Sequence, residues 1–82
     1  LKSINRGLMQ LLESPIGKKV RIIDYKGGRR VSYKLRQLGL TPGREVKILR
    51  FAPLGGPVMI DVEGRSVAIG RGIAARVQVE SE

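Results

Sequence analysis

Residues 58–69 read VMIDVEGRSVAI, and the fold is decided there. Val58, Ile60 and Val62 alternate with Met59, Asp61 and Glu63, the period of two that sends successive side chains to opposite faces of a strand. A two-residue turn at Glu63-Gly64 sets Val62 against Arg65, Ile60 against Val67 and Val58 against Ile69. Apolar partners then face one another on one side of an antiparallel pair, a register hard to obtain by chance.

Working outward toward the N-terminus, Pro53-Leu54-Gly55-Gly56-Pro57 reads as a stiff loop. Arg44 to Ala52 reads as a strand with Val46 and Ile48 on one face, then Leu49 and Phe51 on the other, so it is expected to bend midway, as strands of small barrels do. Thr41-Pro42-Gly43-Arg44 fits a type II turn, with Pro second and Gly third. From Arg30 to Leu38, apolar Val31, Leu35 and Leu38 recur at helical spacing, and Gly39 can take the left-handed conformation that ends a helix and returns Leu40 onto Leu35. Lys18 to Tyr25 is a β-branched stretch closed by Gly27-Gly28. Ile4, Leu8, Leu11 and Leu12 predict an amphipathic helix over residues 1–14, ended by Pro15, with Lys2 and Arg6 on its polar face.

Toward the C-terminus, one helical turn at Ile73-Ala74-Ala75 follows Gly70 and Gly72, and Arg76 to Val79 forms a last short strand. The expectation is a mainly β single domain over residues 1–82. Residues 1–14 form an N-terminal helix and residues 17–80 a small barrel of about five strands with an inserted short helix, whose closure hides sheet edges. At 82 residues, roughly 60 to 65 percent of the unfolded surface is buried on folding, enough for one modest core.

With no Cys and no His, disulfides, thiol or imidazole catalysis and the usual transition-metal ligand sets are absent. The serines have neither His nor Cys to work with, nothing marks one of them for a Ser-Lys arrangement, and Asp61 and Glu63 read as solvated strand residues, so no enzyme, metal site or cofactor is expected. No apolar stretch approaches the roughly 20 residues that span a bilayer. The default location is the cytoplasm, and Leu1 in place of Met leaves open a start further upstream. Of the net charge of +9, residues 1–50 carry +10 (13 basic, 3 acidic) and residues 51–82 carry −1 (3 basic, 4 acidic). Lys18, Lys19, Arg29, Arg30 and Lys34 mark a basic patch suited to an acidic protein surface, anionic lipid or nucleic acid. Three aromatics, Tyr25, Tyr33 and Phe51, are few for a nucleic-acid stacking surface.

Three ordered motifs make a family resemblance specific. LRQLGLTPG at 35–43, FAPLGGPV at 51–58 and VAIGRGIAARVQV at 67–79 resemble the FeoA family, the small cytoplasmic accessory proteins of bacterial ferrous iron transport. The resemblance implies an SH3-like β-barrel with a helix after its first strand. It also implies a role in iron ion homeostasis and contact with the cytosolic GTPase domain of the permease FeoB, with recruitment to the inner face of the membrane. Within the motifs, Arg36, Leu40, Pro53, Leu54, Gly55, Gly56 and Pro57 are the expected partner-binding residues, with Leu40 and Leu54 as exposed apolar contacts. One departure stands out: the family often places Arg directly after the position of Ile69, whereas here Gly70 precedes Arg71. The alternatives are a nucleic-acid-binding barrel and the C-terminal SH3-like domain of a metal-dependent repressor. A role for Arg29 or Arg30 in stabilising phosphoryl transfer is a weaker third.

Overall fold

In the computed structural model, which describes residues 8–82, the hairpin forms in the expected register: Val58 pairs with Ile69, Ile60 with Val67 and Val62 with Arg65. Glu63 (φ 52°) and Gly64 (φ 90°) both take positive φ, the requirement of a type I′ turn. Six strands form one antiparallel sheet: β1 (Leu8–Gln10), β2 (Val20–Tyr25), β3 (Glu45–Phe51), β4 (Val58–Val62), β5 (Arg65–Ile69) and β6 (Val77–Ser81). Helix α1 (Gly28–Gln37) links β2 to β3, and a single turn, α2 (Arg71–Ala74), links β5 to β6. The strand order is β1-β6-β2-β3-β4-β5. Register shifts between Ile22 and Asp24 and between Ile48 and Arg50 bend β2 and β3, the second of them the bend that the face switch in Arg44 to Ala52 predicts.

The sheet wraps a core in which Val20, Leu35, Leu40, Ile48, Ile60 and Val77 are fully buried. Among the described residues its edges, β1 and β5, do not pair with each other, so the sheet is not closed there by hydrogen bonds. Instead α2 packs against a 3-10 turn at Leu11–Glu13.

That turn corrects the expected N-terminal helix. Leu8, Met9 and Gln10 are a sixth strand, opposite Glu80, Val79 and Gln78 of β6. The helical spacing loses because a short helix is marginal on its own, whereas a strand here satisfies the free edge of β6. Leu11 still reaches the core. The turn that places it is closed by the Gln10 N–H donating to Glu13 Oε1 (3.0 Å) and the Ser14 hydroxyl donating to the Leu11 carbonyl (2.8 Å). The rest of the expected helix, including Lys2, Ile4 and Arg6, lies outside the described residues.

Helix α1 ends as its sequence predicts. Gly39 has φ 83°, its N–H donates to Arg36 O (3.0 Å), and the Leu40 N–H donates to Leu35 O (2.8 Å), the paired bonds of a Schellman cap. Leu40 thereby packs in the core with Leu35. The Thr41–Arg44 turn follows, with the Arg44 N–H on Thr41 O (3.1 Å) and Gly43 at φ 95°. A Cβ at Gly39 would lie 2.7 Å from Arg65 Nη2, which itself donates to the Leu38 carbonyl at 3.3 Å. Gly39→Ala is therefore expected to destabilise the fold by about 1 kcal/mol, read as a lower urea midpoint at unchanged m-value.

Candidate functional site: an exposed loop and a basic groove

The loop between β3 and β4 is built to present one side chain. The Ala52 N–H donates to Pro57 O (2.9 Å) and the Gly56 N–H to Pro53 O (3.1 Å), so Pro53 to Pro57 closes on itself. Leu54 at its tip is exposed at 103 % of its reference area and has φ 57°. Left-handed backbone costs a non-glycine residue roughly 1–2 kcal/mol, and an exposed leucine recovers none of it by burial. Strain of this kind, held in place by its surroundings, clusters at functional positions.

Arg71 does the holding. Its Nε donates to Gly56 O (2.9 Å), its Nη2 to Ala52 O (3.1 Å), and the guanidinium carbon lies 5.2 Å from the centre of the Phe51 ring. One planar fork thus fixes both ends of the loop, which a single ammonium could not do. Arg71, one position further from Ile69 than the resemblance leads one to expect, reaches the loop in this chain.

The other expected contacts divide. Arg36 is exposed on the last turn of α1, and no hydrogen bond or ion pair among the described residues ties it to the loop. Leu40, expected as an exposed contact, is 0 % exposed, because the glycine cap turns it inward; its place among the partner-binding residues is corrected on that ground.

The basic patch divides too. Lys18 is exposed ahead of β2, and Lys19 pairs with Glu45 (3.9 Å) beside a small pocket that also holds Asp61 and Glu63. The pocket has mixed charge. Arg29 is exposed on α1, while Arg30 and Lys34 line a groove of about 570 Å³ together with Arg76. Ile73 and Arg76 were not legible as groove residues, since the sequence shows only a helical turn and the start of a strand there.

Near the chain end, the Glu45 carboxyl is held below its ordinary value, chiefly by a hydrogen bond from the Glu82 side chain, and Glu82 is raised by the same bond. Glu45 adds stability that is lost as pH falls through its lowered pKa. Glu82 adds stability that is lost as pH rises through its raised one, so the two oppose each other.

Ser32, Glu63 and Asp61 are engaged in local contacts. The Ser32 hydroxyl donates to Arg29 O (3.2 Å), Glu63 pairs with Arg44, and Asp61 accepts from the Gly64 N–H (3.4 Å). Among the described residues no group of three or more acidic side chains is placed to hold a metal ion, and no helix is long and apolar enough to cross a membrane.

Comparison with known proteins agrees with this architecture. The chain is 33 % identical over 64 residues, 78 % of its length and 76 % of the relative's, to a Methanocaldococcus jannaschii protein named for Fe(2+) transport, transport protein A. The crystal structure of an iron uptake regulatory protein, FeoA, superposes with a TM-score of 0.83 at 37 % identity, over 92 % of this chain and 99 % of that one. A manganese-dependent transcriptional repressor shares the fold, with a TM-score of 0.82 at 14 % identity over 94 % of this chain and 43 % of its own. The sequence model of the FeoA domain matches residues 9–81, and the chain belongs to the FeoA family.

Proposed function

We propose that this protein is a cytoplasmic, non-catalytic accessory of ferrous iron transport that binds the cytosolic GTPase domain of the iron permease through the 53–57 loop, with Leu54 as its anchor. The single observation that carries the reading is Leu54: a large apolar side chain, fully exposed and in strained backbone, on a loop clamped by Arg71. A rigid, pre-shaped apolar tip binds at low entropic cost. The FeoA family membership supplies the transport context. Arg36 is the accompanying polar contact, suited to an acidic partner surface.

Leu54→Asp is expected to weaken binding to the GTPase domain by about tenfold or more while leaving the thermal unfolding midpoint unchanged, as loss of a central anchor does. Arg36→Glu is expected to act in the same direction and to depend on salt. Isothermal titration of each variant against that domain is the measurement. Unaltered affinity in both would remove the loop from the interface.

A further inference from the structure

We infer that the groove between α1 and the junction of α2 with β6 is a docking site for an acidic peptide segment of another protein, one with carboxylates flanking an apolar anchor. The inference uses different residues from the loop and stands whether or not the loop meets a GTPase domain. Arg30 and Lys34, one turn apart on α1, line it together with Arg76 and with the apolar Val31 and Ile73. At about 570 Å³, the groove lies within the range of ligand-holding sites.

Charge selects the occupant. No carboxylate lines this groove, and the ion pairs among the described residues, Lys19–Glu45, Arg21–Glu82 and Arg44–Glu63, engage other cations. Helix α1 has no acidic residue at all, so Arg30 and Lys34 repel each other at i,i+4 without a local counter-charge. A partner carrying carboxylates removes that cost, and the apolar surface rewards a side chain inserted between them.

The groove is also preformed. A Cβ on Gly27 would meet Val31 Cγ2 at 2.5 Å and Arg76 Cδ at 3.0 Å, so the glycine is what lets Arg76 lie against the start of α1. The Lys26 N–H on Arg76 O (2.8 Å) fixes the backbone there. On the rim, the Gln37 amide donates to the Tyr33 hydroxyl (3.2 Å), steadying an aromatic ring that is 59 % exposed.

Other occupants fit less well. Residues 1–7, LKSINRG, carry two cations and no carboxylate, and a second copy of a chain with a charge of +9 is repelled. Nucleic acid asks for a track of cations with stacking aromatics. Here the cations flank apolar surface in an open groove, Tyr33 alone supplies a ring, and Lys19 belongs to the mixed-charge pocket elsewhere.

Fluorescence anisotropy with a labelled peptide carrying a central Leu between Glu residues tests this on the full chain. Binding is expected to weaken by about tenfold in the Arg30→Ala, Arg76→Ala double variant, to weaken on replacing the peptide's Leu by Ala, and to be unchanged in Leu54→Asp. Because the Arg substitutions are at exposed positions, the double variant is expected to fold, which circular dichroism checks; Lys34→Glu is a second variant reading the same groove. No binding by the wild-type chain, affinity indifferent to Arg30, Lys34 and Arg76, or tighter binding of a single-stranded DNA of equal charge would each overturn the proposal.

Discussion

Leu40→Ala is expected to lower stability by about 3 kcal/mol, the middle of the range for truncating a fully buried leucine. Leu40 has no exposed surface and packs with Leu35 beneath the helix cap, so the cavity would open at the junction of α1 and the sheet. A domain of this size holds on the order of 5–10 kcal/mol in total. One methyl-bearing branch therefore accounts for a large share of it. Leu40→Asp would bury an unpaired carboxylate and is expected to leave the chain unfolded at room temperature. Urea denaturation followed by circular dichroism reads the first, and the far-ultraviolet spectrum reads the second. A midpoint for Leu40→Ala equal to that of the native chain would mean that the site collapses around the smaller side chain. Loss of partner binding in a Leu40 variant would then report unfolding, whereas loss in Leu54→Asp, at the exposed loop tip, would report the interface.

The contrast between these two leucines shows what a sequence makes legible. The Gly39 cap already implied that Leu40 returns to Leu35, and the Leu40 N–H to Leu35 O bond realises it. Its reading as an exposed contact came from its place in a motif, which marks importance without distinguishing core from surface. The β4–β5 hairpin was legible because alternation on both sides of a two-residue turn leaves one register that buries Val58, Ile60, Val62, Val67 and Ile69 together. Strand β1 was not, because Leu8, Leu11 and Leu12 fit a helical stripe equally well. What decides the matter is the free edge of β6, some seventy residues further along the chain. The groove was half legible: Arg30 and Lys34 announce themselves on α1, but Ile73 and Arg76 join them only through tertiary structure. The positive φ of Leu54 was invisible, since nothing about Pro-Leu-Gly-Gly-Pro requires the leucine to take it as well as Gly55.

Arg71→Met is expected to destabilise the protein by about 2 kcal/mol and to release the 53–57 loop. Two charge-assisted hydrogen bonds and the stacking on Phe51 are lost together. Each such bond contributes roughly 1.5–3 kcal/mol when its partners stay dry, and the half-buried position of Arg71 lets water recover part of that. Methionine keeps an unbranched apolar side chain of similar reach, so the loss isolates the guanidinium fork. The local readout is hydrogen exchange at the Ala52 amide, which closes the loop on Pro57 O. A loss of about 2 kcal/mol there corresponds to exchange faster by roughly 30-fold. Arg71→Lys is expected to rescue little, because an ammonium on a flexible stem cannot span the carbonyls of Ala52 and Gly56 and also lie over the ring. Affinity for the GTPase domain is expected to fall in step with the exchange rate, since a mobile Leu54 must be ordered at the moment of binding. Unchanged Ala52 exchange in Arg71→Met would show that the prolines and the loop's own hydrogen bonds hold Leu54 in place without the arginine. Faster exchange with undiminished affinity would separate the clamp from the interface and leave Arg71 a purely structural residue.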